Sequence, residues 1–431
     1  MRKLLTIISF ALLISILTTS CSSIGIGNKT KDEVTIKMMT YSKANSTDLI
    51  NHLKEKFPHI TLEVIAVDDI MREEGFTDHT KRMARISEII TEKQVDFYQH
   101  IVPTMFVPDH QLFDIKQLID RNQLELNEIQ QHMIASSTRD DGTLYTISPT
   151  FDRRVLFINR KLFQNSGVPE PISPMTFEQL RQSAIKLKEK NIGSFGYNYP
   201  TGSWYYSIKS IGEEMNGLPF INNDGQLLFD QPEWRDLAQN VLDDSKNKVL
   251  RSDPFMPADS DLVRIGISLI YASQIYNYIA NNFSAETLAI SNLPSNPSNP
   301  TSNPYLMTSQ FSIDSTSEHV EEVWELLTYL MSKEAATFIN EKVLLNGFVT
   351  YPDLVKIGDF KLESFMETGN PRTKAYSFDL SGEVTTKLVT TINEQFLAYI
   401  QDKISFNVAW KNIEVVVQDI NANSSNFVAV K

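Results

Sequence analysis

The sequence predicts an α/β protein built as two lobes, and three observations lead there. From Val34 to Ala66 the chain reads as strand, helix, strand, the order of a βαβ unit with a parallel sheet. Segments of strand and helix period go on alternating toward the C-terminus. The 431 residues, 42% hydrophobic and 22% charged, hold enough apolar side chains for more than one core.

The first segment is a leader. Arg2 and Lys3 precede an apolar run from Leu4 to Leu17, then the small residues Thr18, Thr19 and Ser20, then Cys21, the only cysteine of the chain. A spanning helix needs roughly 20 apolar residues. This run is shorter and is interrupted by Thr6, Ser9 and Ser15, so cleavage after residue 20 is expected. A single thiol makes neither a disulfide nor a thiolate zinc site. The stretch ILTTSCSS resembles the lipobox of bacterial lipoproteins, with Thr18 where that family prefers leucine. The resemblance implies that Cys21 becomes the new N-terminus and carries acyl chains, each buried methylene holding the chain to the membrane by about 0.8 kcal/mol. An ordinary signal peptide beside a stray cysteine is the blander alternative. Loss of Arg2 and Lys3 takes the net charge from −13 to −15. That sign argues against a nucleic-acid partner, which needs clustered Lys and Arg.

Residues 21–33 read as a polar, glycine-containing tether. Val34, Ile36 and Met38 then alternate as in a strand, and Leu49, Ile50, Leu53 and Phe57 recur on one helical face, with Ser46 the expected N-cap and Pro58 the stop. Ile60, Leu62, Val64 and Ala66 alternate again. RMARISEIITEKQ predicts a helix and VDFYQHIV the next strand with its outgoing loop. FDIKQLIDRN and LNEIQQHMIASS are short amphipathic segments. DDGTLYTISP predicts a turn at Asp141-Gly142 and a strand. FEQLRQSAIKLKEKN is a helix that buries Phe177, Leu180, Ala184 and Leu187. Another helix runs through LAQNVLDD, and EHVEEVWELLTYLMSKEAATFINEK and the region 385–419 are helical. SNLPSNPSNPTSNPY excludes helix and central strand and reads as a surface loop, with a crossover near Tyr305.

Enzyme chemistry finds little support. The seven histidines show no ligand spacing, and GxSxG, Walker A, Rossmann glycine and EF-hand patterns are absent from the sequence. Glycoside hydrolysis needs two carboxylates at a set separation, and no pair stands out. No catalytic residue, metal or cofactor is expected.

DDGTLYTISPTFDRRVLFINRKLFQNSGVPEPISPMTFEQL carries the densest resemblance to a known family. Asp141-Gly142, Pro149, Asn159, Phe163, Gly167-Val168-Pro169 and Phe177 are similar to the pattern of the extracellular solute-binding proteins of ABC importers, in the group that includes maltose-binding protein. Weaker matches lie in FDQPEW, RIGISLIYAS and EVWELLTYLMSKEAATFI. Gln94-Val95-Asp96 and the bulky GISLIY depart from the family pattern.

The resemblance implies a two-lobed, periplasmic-binding-protein-like fold with a hinge, closing on a ligand between the lobes. It places one lobe at 34–149 plus about 306–350 and the other at about 150–305 plus 351–431. It further implies a monomer that delivers a carbohydrate, an oligosaccharide by expectation, to permease subunits from the outer face of the cytoplasmic membrane. A ligand-sensing lipoprotein and, further off, a secreted carbohydrate-active enzyme are the alternatives.

Sugars call for aromatic platforms and bidentate polar groups. Trp204, Tyr205 and Tyr206 align with an aromatic contact loop of the family, and adjacent side chains diverge, so one at least should be exposed. Tyr276 stands where the maltose-binding group stacks a tryptophan. Asp152 is expected to accept hydroxyls, and Arg153 beside Arg154 would suit a carboxylate or phosphate. Tyr41, Gln99 and His100 follow strands on the same side, and Tyr376 with Phe378 offers a last aromatic wall.

If Cys21 is the anchor, Cys21→Ala should move the protein from the membrane pellet to the soluble fraction of fractionated cells. Persistence in the pellet would mean that something else holds it there.

Overall fold

The computed structural model describes residues 32–75, 79–100, 112–139, 141–190, 193, 195–222, 224–251, 259–295, 305–342, 347–360, 378–380, 382–423 and 427–429. Cys21, most of the tether, the Ser-Asn-Pro stretch at 296–304 and Tyr376 lie outside the described residues.

Two four-stranded sheets form the two lobes. In the first, β1 (Val34–Thr40), β2 (Ile60–Ala66) and β3 (Phe97–Gln99) run parallel, and a later strand, β10 (Phe311–Ile313), pairs antiparallel with β3. The expected βαβ unit is there, with Met38 opposite both Val64 and Phe97. Side chains from the two faces of this sheet enter different cores. Ile36, Met38 and Phe97 join one with Leu49 and Leu53 of the helix Lys43–Lys56, and Met39 and Tyr98 join another with Ile86 and Ile89.

The second sheet has the order β6-β7-β5-β8, made of β5 (Arg154–Asn159), β6 (Phe195–Asn198), β7 (Ile265–Tyr271) and β8 (Leu288–Ser291). One face, with Leu156, Ile158, Ile267 and Leu269, packs on Leu180, Ala184 and Leu187 of the helix Phe177–Glu189. Gly266 sets how closely strand and helix approach, because a Cβ there would lie 2.2 Å from Leu187 Cδ2. The C-terminal helices Gly382–Ile400 and Phe406–Ala422 complete this core through Leu388, Phe396, Trp410 and Ile413. β12 (Phe378–Leu380) and β13 (Phe427–Ala429) pair with each other beside these helices in sequence.

Between the sheets lies a ribbon of three short strands, β11-β4-β9, in which β4 (Thr150–Asp152) is central and β9 (Leu306–Met307) and β11 (Phe348–Val349) are antiparallel to it. The chain changes sheet at each of these strands: into the second at β4, back to the first at β9, and out again after β11 toward the C-terminal helices. Hydroxyls knit the ribbon together. Ser148 Oγ accepts from the Thr150 and Ser309 amides at 3.2 Å each, and Thr150 and Thr308 share a hydroxyl bond of 2.8 Å.

Three local expectations are corrected. The first long helix starts at Lys43 with Ser42 at its N-cap, so Ser46 is interior, where its hydroxyl meets Thr40. DDGTLYTISP keeps its turn, with Gly142 at φ 86°, but pairs through a single bridge from Ile147 to Phe311 instead of a strand. The region 385–419 is two helices, interrupted between Ile400 and Phe406.

Arg181 is locked in the second lobe. It donates to both oxygens of Asp244, at 2.6 and 2.8 Å, and Tyr197 donates to the same carboxylate at 2.8 Å. All three are buried. Removing one partner of a buried pair strands the other charge. Asp244→Ala should therefore cost about 3–5 kcal/mol, measured as a lower urea midpoint with an unchanged slope.

Candidate ligand-binding site

Strand direction selects one region of the molecule. In the first sheet β10 starts four residues after β9 ends and lies with Phe311 opposite Gln99, so the carboxyl ends of the parallel strands, Thr40, Ala66 and Gln99, lie on the ribbon side. In the second sheet β5 leaves the ribbon at Arg154, and its antiparallel partner β7 ends opposite it at Tyr271. β6 runs parallel to β7. Both lobes thus present strand carboxyl ends toward the crossing, where open α/β sheets hold ligands because no backbone continues to fill the space.

Exposed aromatic side chains gather at these ends. Among the described residues, those more than a third exposed are Tyr41, Tyr206, Tyr271 and Tyr276. Tyr41 directly follows β1, Tyr271 closes β7, Tyr276 lies in the helix Ile275–Ala280 just after β7, and Tyr206 lies in the helix Trp204–Ser210 that follows β6. The aromatic triplet divides as helical geometry requires. Tyr205 turns inward against Phe220 and Trp204 is nearly buried, while Tyr206, adjacent in sequence, is 45% exposed. Ser203 caps this helix by accepting from the Tyr206 amide, and Asn393 accepts from the Tyr205 amide, tying the helix to the C-terminal pair. The Tyr276 ring lies 6.1 Å from that of Phe348 in the ribbon.

Asp152 is only 4% exposed, and its carboxylate is engaged within the chain. Oδ2 accepts from the Ser273 hydroxyl at 2.5 Å, and Oδ1 from the amides of Arg153 at 2.8 Å and Ser273 at 3.2 Å. Burial raises its pKa above the ordinary carboxylate value, and the Ser273 hydroxyl and backbone N–H donors oppose that rise. The two arginines go to different places. Arg153 is 1% exposed, with its guanidinium 5.5 Å from the Tyr305 ring centre and 3.4 Å from Asn292 Oδ1. Arg154 is paired with Glu214 at 2.7 and 2.8 Å. Both guanidiniums therefore make interactions inside the second lobe and at its junction with the ribbon.

Gln99 is wholly buried, and among the described residues neither its oxygen nor its nitrogen has a hydrogen-bond partner. Asn198, the last residue of β6, is in the same condition at 1% exposure. Buried amides without partners are rare, since each unmade bond costs about 1–3 kcal/mol. His100 follows Gln99 in the left-handed region, φ 57°, with its amide donating to the Gln310 carbonyl at 3.0 Å. Its imidazole pKa is lowered by burial, against a hydrogen bond to the Thr308 backbone. Sequence reasoning missed Asn198, Glu214 and Tyr271. Tyr271 ends a strand whose preceding residues are buried on both faces, so nothing beside it marks it as the one that emerges, and Asn198 carries no local motif.

Among the described residues no group of three or more His, Cys, Asp and Glu side chains is placed to hold a metal, and no helix is long and apolar enough to cross a membrane.

The model of the bacterial extracellular solute-binding protein family matches residues 112–337, just over half of the chain. A Brucella abortus chain described as a binding protein is 22% identical over 205 residues, which cover 45% of this chain and 48% of that one. The match therefore spans about half the length of the curated relative. The sugar-binding protein MalE of Xanthomonas citri superposes with a TM-score of 0.65 at 14% identity, covering 90% of this chain and 98% of that one. A substrate-binding protein of Listeria monocytogenes, solved in complex with cycloalternan, gives 0.62 at 15% identity, covering 90% and 99%. At these identities the likeness is one of fold.

Asp152 supplies a pH test. An acid whose pKa is raised by folding binds its proton more tightly in the native state, so its contribution to stability is lost as pH rises from the ordinary value through the raised one. Asp152→Asn removes that loss and keeps an acceptor for Ser273. Thermal unfolding from about pH 4 to about pH 7 should show the variant gaining on the parent as pH rises. A difference flat in pH would mean that Asp152 ionises in the folded chain as freely as in the unfolded one.

Proposed function

The chain belongs to the bacterial extracellular solute-binding proteins, and from that premise we propose that it captures a carbohydrate, an oligosaccharide, between its two lobes and delivers it to the permease of an ABC importer. The observation that carries this reading is the set of exposed tyrosines, Tyr41, Tyr206, Tyr271 and Tyr276, at the carboxyl ends of strands in both lobes. A tyrosine offers a flat apolar face and a hydroxyl at its rim, which match the C–H face and the hydroxyl ring of a sugar. The unpartnered amides of Gln99 and Asn198 add donors and acceptors at the ends of β3 and β6. The description of the structurally similar Xanthomonas citri protein as sugar-binding, and the cycloalternan bound by the one from Listeria monocytogenes, support the same class.

In this proposal the β11-β4-β9 ribbon is the hinge, separating residues 34–149 and about 306–350 from about 150–305 and 351–431. Closure excludes water and presents one shape to the permease. Acylated Cys21 holds the protein at the outer face of the cytoplasmic membrane, and the protein acts as a monomer. It binds and releases its ligand without a chemical step.

Small-angle scattering and calorimetry with maltotetraose, galactotetraose and a galacturonate trimer test the reading. Saturable binding of one of them with a smaller radius at saturation is expected, and Tyr276→Ala should weaken that binding about tenfold. Failure to bind any of the three, or release of new reducing ends from them, would remove the proposal.

A further inference from the structure

Tyr271 is 39% exposed, yet its side chain is tied to Arg154. It lies opposite Arg154 across the β5–β7 pair, and the Arg154 guanidinium carbon is 5.4 Å from its ring centre and 5.3 Å from that of Tyr199. Tyr199 is buried and its hydroxyl also bonds Arg154. On its edge the same guanidinium meets both oxygens of Glu214 at 2.7 and 2.8 Å. The Arg154 guanidinium is held by the Tyr199 hydroxyl and both Glu214 oxygens through Nη1, and it also hydrogen-bonds the Tyr271 side chain, so it has few other orientations and the exposed ring inherits its order.

Glu214 is itself fixed. It lies in a π-turn, Ile211–Met215, closed by a bond from the Asn216 amide to the Ile211 carbonyl at 3.2 Å. Such turns add a residue to a helix and are frequent at functional sites. Gly212 presses this turn against Trp234, where a Cβ would lie 2.2 Å from the indole ring. Trp234 is buried and donates to the Pro219 carbonyl at 3.0 Å. The neighbouring Glu213 is taken up by Lys209 at 2.6 Å. A rigid line therefore runs from the lobe core through Glu214 and Arg154 to one exposed ring at the carboxyl end of β7.

We propose that Tyr271 is a stacking platform for the bound carbohydrate, and that Arg154 is a positioning residue which orients this ring, its charge answered by Glu214 instead of by an anionic ligand. The assignment rests on the carbohydrate reading above and deepens it. It makes an uncharged sugar the matched ligand at this position, because the cation tied to the platform already has a carboxylate partner.

Calorimetry with maltotetraose, or with galactotetraose where that binds more tightly, tests it at low and high salt. Tyr271→Ala should weaken binding about tenfold, and Tyr271→Phe, which keeps the ring but loses its hydrogen bond to Arg154, by no more than Arg154→Lys does. Arg154→Lys keeps the charge and loses the planar fork, and should weaken binding several-fold in the parent but by less than about twofold in the Tyr271→Ala background, because coupled residues are not additive. These losses should not change with salt. Equal losses from Arg154→Lys in both backgrounds, or a loss that shrinks with salt, would show Arg154 touching the ligand and overturn its role. Full affinity in Tyr271→Ala while Tyr276→Ala is impaired would overturn the platform alone. A parent chain that binds neither sugar would remove the carbohydrate reading and this assignment with it.

Discussion

The structure depends on a chain that crosses between two sheets three times through one hydrogen-bonded ribbon. β4 is paired on both edges, so the crossings at β9 and β11 cannot drift apart without breaking its ladder. This constraint orients everything else. β5 must leave the ribbon at the second sheet, β10 must enter the first sheet from it, and the antiparallel pairing of each with its neighbour turns the parallel strands' carboxyl ends toward the crossing. The ribbon is also where the cores meet. Phe151 and Phe348, from two of its strands, belong to one apolar cluster with Phe97 of the first sheet and Phe157 and Ile270 of the second.

The ion pairs of the second lobe, one buried and one part-buried, fix position more than they add stability. A desolvated ion pair is close to neutral against an apolar replacement. What the Arg181–Asp244 and Arg154–Glu214 pairs supply is direction. The first joins the helix Phe177–Glu189 to the helix Pro232–Lys246, and the second joins the start of β5 to the π-turn packed on Trp234 of that same helix. The helix Pro232–Lys246 thus meets both networks, one at Asp244 directly and one through Trp234 and Gly212.

Much of this fold was legible because period and burial agree. Val34 to Met38 and Ile60 to Ala66 alternate since each strand meets different surroundings on its two faces, and the helix Phe177–Glu189 shows one apolar stripe because it packs on one side of a sheet. β7 is different. Ile265 to Ile270 are buried on both faces of the sheet, so burial does not alternate along the strand, and Tyr271 is the first residue to emerge. Ser46 misled for a related reason. It is a good capping residue by type, but its hydroxyl is occupied by Thr40 and the backbone starts the helix a turn earlier.

The roles of Arg153 and Arg154 were the least legible, and the reason is general. Arg153, in the link between β4 and β5, and Arg154, the first residue of β5, send their guanidiniums to different partners in this structure. Which partner each finds depends on residues far away in sequence: Tyr305 and Asn292 for one, Glu214 and Tyr199 for the other. The same separation holds at Asp152, whose carboxylate meets Ser273, 121 residues away. Charged side chains beside the crossing were read from sequence as ligand contacts, whereas the pairing of distant strands gives them internal partners. Among the described residues the exposed aromatic side chains at the strand ends are tyrosines, so in the proposed site ring faces and the buried amides of Gln99 and Asn198 contribute to discrimination. Such groups favour a ligand by shape and hydroxyl geometry.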